Sequence, residues 1–346
     1  MRILHTADWH LGKKLEAHSR LAEQRAVLTE ICELAEAYAV DAVLIAGDLF
    51  DTFNPPTEAV ELCYQTLKRL ANGGQRAVVT IAGNHDSPDR IEAPDPLSRE
   101  NGILFAGYPH TTLQSFRLST GLSVIRSDQG FVEIALPKAA HPLRLILTPY
   151  ANEQRLRTFL GVEDPEQQLQ TVLAQQWQRL ADQYMDEQGV NLLVAHLFMI
   201  SPGTTAPEEP EGEKPINHPG GAAAIETTCL PDAVQYTALG HLHGYRQLKG
   251  AQGPVVYSSS PLAYSFHEAG QPKYVNLISA EPGQPVQQEA LPLAAGKPLY
   301  RQRFESVEEA LQWLDNHPDS LVELTLSTGS YISSQERRQL HQRHPG

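Results

Sequence analysis

A chain of 346 residues with 41% hydrophobic and 20% charged residues is long enough for one large domain plus a small one, and this balance excludes a disordered tail. Its 41 acidic and 27 basic residues leave a formal net charge of −14 and a pI near 5.4. That argues against holding nucleic acid by overall charge: local basic patches, metal ions or a partner would have to supply the attraction. Three scattered cysteines, Cys32, Cys63 and Cys229, exclude a disulfide framework. No apolar run is long enough to span a bilayer and MRILHTADWH does not read as a signal peptide, so no membrane association and a cytoplasmic, nucleoid-associated location are expected.

RILHTA is a short β-rich run, followed by a helical stretch over about 19–38. DAVLIAG is a near-continuous apolar strand of the kind buried on both faces. A second helix over 57–72 closes with Asn72-Gly73-Gly74, and RAVVTIAG is again a buried strand. This βαβαβ rhythm predicts a largely parallel central sheet with right-handed crossovers. LRLILTPY and NLLVAHL follow as strands flanking a long helix over about 164–187. Residues 201–221 are rich in Pro, Gly and Glu and read as an exposed loop. YTALGHLHGY, PVVYSSSPLAYSF and KYVNLISAE are further strand-like segments. The last 56 residues, 291–346, read as a small α+β unit: PLYRQRFES, the helix SVEEALQWLDNH, the strand LVELTLS and a charged helix QERRQLHQRH, with Phe304, Leu311, Trp313 and Leu314 as its core. Its pattern stops at Gly346 as though a further element followed.

Five polar clusters each follow an apolar strand: Asp8-Trp9-His10, Gly47-Asp48, Gly83-Asn84-His85-Asp86, His196, and Gly240-His241-Leu242-His243. Ligand sites of open α/β sheets lie outside the carboxyl ends of the strands, so the five converge. Asp8 and His10, like His241 and His243, are two positions apart, and in extended backbone such pairs face the same side. Carboxylate, imidazole and amide oxygen without thiolate suit Mn²⁺ or Fe²⁺ better than structural zinc. Seven candidate ligands exceed one tetrahedral ion; with a shared Asp48 they serve two, the arrangement that clamps attacking and leaving oxygens in phosphoester hydrolysis. A single such pair is more often an exposed or satisfied histidine than a ligand, and the glycines before Asp48, Asn84 and His241 read on their own as tight turns. Five compatible clusters, all at strand ends, do not.

The series DxH…GD…GNHD…H…GHxH resembles the calcineurin-like metallophosphoesterase superfamily, an α/β fold with a four-layer αββα sandwich. The strings TADWHLGKKL, AGDLFDTFNPP, IAGNHDSP, YTALGHLH and YSSSPLAYSFHE are similar to the bacterial SbcD nuclease family over roughly residues 1–270. The resemblance implies a nuclease domain over 1–290 and a small α+β DNA-binding capping domain over 291–346. It implies two Mn²⁺ ions, with Mg²⁺ or Fe²⁺ as alternatives: Asp8, His10 and His243 on one, Asn84, His196 and His241 on the other, Asp48 bridging. His85 would face the scissile phosphate and Asp86 would orient its imidazole. The implied activity is 3′→5′ exonuclease on duplex DNA and endonuclease on single strands and hairpins, in DNA end processing, recombination and repair. The chain has no GxxxxGK[ST], so an SbcC-type ATPase partner would supply ATP hydrolysis and much of the grip on DNA; a homodimer is also implied.

Where archaeal and eukaryotic relatives carry a further histidine three residues after the bridging Asp, this chain has Asp51, read either as a partner of a ligand histidine or as a turn residue. Lys13, Lys14 and Arg90 are candidate phosphate contacts or plain surface charge. Trp9, pointing away from its neighbours, reads as packing. Two rivals stand beside the nuclease: a small-substrate phosphodiesterase or phosphatase of the same superfamily, and a non-catalytic DNA-end tether. GDLFDTFNPP lacks the GDxVDRG of protein phosphatases, which counts against a protein phosphatase.

Overall fold

The computed structural model describes residues 1–157, 165–204, 224–327 and 331–346. Most of the Pro/Gly/Glu-rich stretch therefore lies outside the described residues. In chain order, β1 (Arg2–Thr6) leads through a short hairpin, β2 (Lys14–Leu15) and β3 (His18–Ser19), to α1 (Leu21–Ala37), β4 (Ala42–Ile45), α2 (Thr57–Ala71) and β5 (Ala77–Ile81). The short helices α3 (Pro88–Glu92) and α4 (Asp95–Ser98) precede β6 (Ile103–Ala106). A hairpin, β7 (Ser123–Asp128) and β8 (Phe131–Ala135), is followed by β9 (Leu143–Thr148), α5 (Glu153–Leu156), α6 (Pro165–Tyr184) and β10 (Val190–His196). Then come β11 (Met199–Ile200), β12 (Ile225–Glu226), β13 (Tyr236–Gly240), β14 (Arg246–Leu248), β15 (Val255–Tyr257), β16 (Lys273–Ser279) and β17 (Gln287–Leu293). The chain closes with β18 (Leu299–Phe304), α7 (Val307–Asp315), β19 (Leu321–Leu326) and α8 (Ser334–Arg343).

The single parallel sheet expected from the βαβαβ rhythm is instead two sheets. One runs β17-β16-β1-β4-β5-β6 and the other β14-β15-β13-β10-β9-β8-β7. Each has a parallel centre, β1-β4-β5-β6 and β9-β10-β13-β15, widened by antiparallel strands. The physical reason lies in strand alternation. Ile3, Leu44, Val79 and Ile81 of the first sheet pack with Leu145, Leu192, Val194 and Ala238 of the second. The opposite faces, Leu4, Val43, Ile45 and Val78, pack under α1 and α2, and Ile146, Leu193 and Leu239 under α6. Apolar on both sides, the central strands need a cover on each, and the result is the expected four-layer αββα sandwich.

The helices follow the same logic. α1 buries Gln24, Val27, Leu28, Ile31, Cys32 and Ala35, a stripe at i, i+3, i+4 spacing. α2 carries Glu58 in its first turn, Lys68 and Arg69 in its last, and ends at Asn72 in left-handed conformation. Trp9 is buried as packing in the layer beneath these helices, and Cys32 and Cys63 are buried thiols.

β17 belongs to the first sheet and runs through residue 290, so that sheet reaches into the segment assigned to the small unit. β18 and β19 then pair in parallel around α7, and Ser333 and Glu336 form a reciprocal cap at the start of α8. The core of this unit differs from expectation. Leu299, Val307, Ala310, Leu314 and Leu321 are buried, whereas Phe304, Leu311 and Trp313 are half-exposed; Trp313 stacks on His317 with ring centroids 3.8 Å apart.

His5 is a polar pin between the sheets. Its Nδ1 lies 3.0 Å from Tyr236 Oη and its Nε2 3.2 Å from the Leu239 carbonyl. Burial pushes its pKa from 6.5 down to about 3, outweighing the opposing hydrogen bond to Leu239. The unfolded chain therefore takes up a proton that the folded one refuses. The stability associated with neutral His5 is complete above about pH 6.5 and declines as pH falls. Between pH 6.5 and 5 the loss attributable to this one side chain is about 2 kcal/mol. Urea unfolding of wild type and His5→Leu at pH 7.5 and pH 5 checks this: the wild type should lose more stability on acidification, and equal losses would refute the assignment.

Candidate metal centre

Strand register delivers the polar clusters to one place. Thr6, Ile45 and Thr80 are paired across the first sheet, and His196 pairs with Gly240 in the second. The chain then turns sharply at each exit. Asp8, His10, Asp48 and His241 all have positive φ, at 55°, 44°, 50° and 106°, a conformation costing about 1–3 kcal/mol for non-glycine residues and concentrated at functional sites. Backbone bonds hold the turns: Asp8 N–H donates to the Gly47 carbonyl at 3.0 Å and His10 N–H to the Asp48 carbonyl at 2.9 Å.

All seven candidate ligands are buried where these turns meet. Asp48 Oδ2 lies 3.7 Å from His10 Nε2 and 3.3 Å from His196 Nε2, between the two groups. His243 Nε2 is 3.1 Å from His10 Nε2, and His196 Nε2 is 2.8 Å from Asn84 Oδ1. Asp8 Oδ1 sits 3.8 Å from His196 Nδ1, and both its oxygens accept the His241 N–H, at 2.9 and 3.1 Å. The His196 and His241 rings meet edge to face at 5.5 Å.

The hydrogen-bond partners dictate which nitrogens face inward. His196 Nδ1 is 2.8 Å from the Ala46 carbonyl, and His243 Nδ1 is 3.1 Å from Glu268 Oε1. Neither partner can donate, so each Nδ1 carries a proton and each Nε2 is the nitrogen that faces inward and could ligate a metal once deprotonated, as in metal-binding histidines. Nε2 of His196 then meets an amide oxygen and Asp48 Oδ2, a buried atom that accepts no hydrogen bond among the described residues. Acceptor oxygens and inward imidazole nitrogens converge in a buried place, and this donor set fits a divalent cation. Without such a cation, protons take up the same field. Burial pushes Asp8 up to about 7 against the pull of His196 and His243. Burial also opposes the charged forms of Asp48 and His196, but their mutual attraction prevails: Asp48 is held below the usual carboxylate range and His196 rises to about 9.

Of the catalytic candidates, His85 is buried beside this cluster, its ring 4.8 Å from that of His10. Its N–H donates to Asp48 Oδ1 at 2.8 Å, and its Nδ1 lies 2.7 Å from the Asp51 carbonyl. That contact corrects the role expected of Asp86. The Asp86 carboxylate accepts three backbone N–H groups, from Gly83 at 2.9 Å, Leu49 at 3.1 Å and Phe50 at 3.0 Å. It ties the GNHD turn to the Asp48 turn, while a backbone carbonyl contacts the imidazole. Asp51 Oδ1 lies 3.7 Å from His10 Nδ1 and 3.1 Å from Lys13 Nζ, consistent with its reading as a neighbour of a ligand histidine. Lys13 is thus paired, and Arg90 binds the Phe53 carbonyl at 3.1 Å and Asn54 Oδ1 at 2.8 Å. Lys14 is exposed on β2.

Several supporting residues escaped sequence reasoning because their signal is tertiary. Arg155 is buried and donates from Nη1 to the Gly83 carbonyl and from Nη2 to the Asp86 carbonyl, both at 2.8 Å, gripping the GNHD turn at each end. Glu268 joins His243 to Lys273, whose Nζ is 2.5 Å from Glu268 Oε2 and donates to the His243 carbonyl at 2.9 Å. Gln24 Nε2 donates to the His10 carbonyl at 2.8 Å. Two glycines are demanded by close approach. A Cβ on Gly47, at φ 94°, would lie 2.3 Å from His196 Nδ1, and one on Gly83 would lie 2.1 Å from Asp48 Oδ1.

Residues 1–245 match the profile of the calcineurin-like phosphoesterase family. Over 353 aligned residues the chain is 36% identical to the SbcD subunit of the nuclease SbcCD from Bacillus subtilis (strain 168), covering 100% of this chain and 84% of that protein. It is 34% identical over 290 residues to the protein of the same name from Rhodobacter capsulatus, covering 82% and 67%. For that of Escherichia coli (strain K12) the figures are 29% over 347 residues, 98% and 81%.

Two substitutions test the geometry. Gly83→Ala drives a methyl group into Asp48, and Mn²⁺ affinity by isothermal titration should weaken about tenfold or more, as for other changes beside metal ligands. Unchanged affinity would refute the close approach. Arg155→Met strands two buried carbonyls and should cost about 2–4 kcal/mol of stability in urea unfolding; a loss below about 0.5 kcal/mol would show that the clamp is dispensable.

Proposed function

The chain belongs to the calcineurin-like phosphoesterase family, among its SbcD-type nuclease subunits, and from that membership we propose that it is a metal-dependent DNA nuclease. It would act as a 3′→5′ exonuclease on duplex ends and as an endonuclease on single strands and hairpins, in DNA end processing, recombination and repair. The observation that carries the reading is the position of Asp48 Oδ2 between His10 Nε2 and His196 Nε2. A shared carboxylate flanked by two imidazoles suits a pair of divalent cations.

On this reading Asp8, His10 and His243 would hold one ion and Asn84, His196 and His241 the other, with Asp48 available to both; Mn²⁺ would suit the oxygen and imidazole donors. When bound, such a pair supplies Lewis acidity toward the phosphoryl group and makes a nucleophile available near neutral pH. The protein's own contribution is orientation. Asn84 serves as a neutral ligand, adding no negative charge beside a phosphate. His85, its Nδ1 held at the Asp51 carbonyl, would as imidazolium stabilise charge on the phosphoryl oxygens or pass a proton to the leaving oxygen. Asp86 and Arg155 hold the turn that carries it. An SbcC-type ATPase would add the basic surface that a chain of net charge −14 lacks, with two copies of this chain in the assembly, working at the nucleoid. Among the described residues no helix is long and apolar enough to cross a membrane.

The test compares wild type and His85→Gln on end-labelled duplex and hairpin DNA with Mn²⁺, Mg²⁺ or chelator, alongside bis-p-nitrophenyl phosphate. Mn²⁺-dependent cleavage that chelator abolishes, reduced about 10²–10⁴-fold in His85→Gln, is the expected result for loss of a general acid. Hydrolysis of the small diester without DNA cleavage, by the chain alone and with its ATPase, would move the substrate to a small phosphodiester. DNA binding without hydrolysis of either substrate would leave a tether.

A further inference from the structure

Four large apolar side chains are exposed among the described residues, and one of them, Phe53 at 44%, sits in the loop beside the metal centre. Two positions earlier, Asp51 contacts His85 Nδ1 through its carbonyl at 2.7 Å and Lys13 Nζ through its carboxylate at 3.1 Å. The carbonyl of Phe53 itself takes Arg90 Nε at 3.1 Å, and Asn54 Oδ1 takes Arg90 Nη2 at 2.8 Å. The loop begins at a β-bridge between Leu11 and Phe50 and ends in Pro55-Pro56. An aromatic ring is thus held on braced backbone within two residues of a group touching His85. A braced backbone matters because less of the loop then has to be ordered on binding.

The same contacts engage two of the basic groups beside the centre. Lys13 pairs with Asp51 and Arg90 with the loop, in a chain of net charge −14. Charge is therefore a poor source of local hold on a DNA strand here. Stacking is not: every base has a π-face, and base–aromatic contacts are both strong and tolerant of sequence.

We infer that Phe53 stacks on a nucleobase flanking the scissile phosphate and so selects DNA whose bases at that point are unpaired or at an end. The inference rests on the reading of the protein as a DNA nuclease. A base inside an intact duplex has both faces covered by its neighbours and offers the ring no surface. A single strand, a hairpin loop or a frayed end does.

The experiment uses the full chain as wild type, Phe53→Ala, Phe53→Leu and Phe53→Trp. Each is given a single-stranded oligonucleotide carrying 2-aminopurine, and separately bis-p-nitrophenyl phosphate, both with Mn²⁺. The readouts are the ratio of kcat/KM on DNA to that on the small diester, and the quenching of 2-aminopurine on binding. The ratio should fall about tenfold or more in Phe53→Ala, fall likewise in Phe53→Leu, and be retained in Phe53→Trp, with quenching following the same order. An unchanged ratio and quench in Phe53→Ala would overturn the inference alone. So would full retention in Phe53→Leu, because bulk rather than an aromatic face would then suffice. A wild type that, both alone and with its ATPase, hydrolyses the small diester but neither cuts nor quenches the oligonucleotide would overturn the nuclease reading, and this inference with it.

Discussion

Two carboxylates, Asp8 and Asp48, are buried at the junction of the two sheets, and the arrangement of everything near them answers to that placement. Removing a carboxylate from water is costly, and a second one nearby raises the cost further. Burial accordingly lifts Asp8 to about 7, while Asp48 stays ionised through the histidines beside it. Each Asp8 oxygen accepts the His241 N–H, and Asp48 Oδ1 accepts the His85 N–H. Those bonds satisfy part of the charge; the remainder, focused at Asp48 Oδ2 between two imidazoles, is what a divalent cation neutralises.

Around that centre the support comes in a hierarchy. The sandwich supplies strand ends in register, and positive-φ turns aim the side chains. Asp86 and Arg155 then lock the turns to one another through backbone groups on both sides of the GNHD segment. On the other flank, Lys273 and Glu268 fix His243 from β16 and the turn before it. For Glu268, burial opposes the charge but His243 and Lys273 outweigh it, so it remains a carboxylate able to hold His243 Nδ1–H. Such buried ion pairs contribute little net stability and a great deal of orientation.

The acidic balance of the chain fits this chemistry better than it first suggests. Negative charge concentrated at the centre favours the cation, whereas contact with a polyanion needs attraction from elsewhere. Lys13 and Arg90 beside the centre are engaged with the Asp51–Asn54 loop. On the proposed reading, long-range attraction for DNA would therefore come from a basic partner surface.

Much of this was legible in the residues themselves. Apolar runs ending in Asp, Asn or His announced both the strands and the chemistry, since such runs are buried and their ends are not free to be polar by accident. The glycines before Asp48 and Asn84 read in sequence as possible tight turns, whereas in the fold a Cβ on either would collide with His196 or Asp48. The strand pattern alone could not count the sheets, which only the family resemblance implied, because burial on both faces does not say whether helix or another sheet provides the cover. The role of Asp86 was likewise out of reach: neighbours in sequence on a sharp turn point different ways, and two of its three partners lie on the Asp48 turn, 37 and 36 positions away. Arg155, Glu268 and Lys273 carry no local motif, being recruited by proximity alone. Composition, spacing and residue type therefore determined which donor atoms gather at the strand ends, because metal and phosphoryl chemistry admits few substitutes. Only the tertiary structure decided what holds those atoms still, because hydrogen bonds to backbone carbonyls and amides leave no trace in the identity of the residues that provide them.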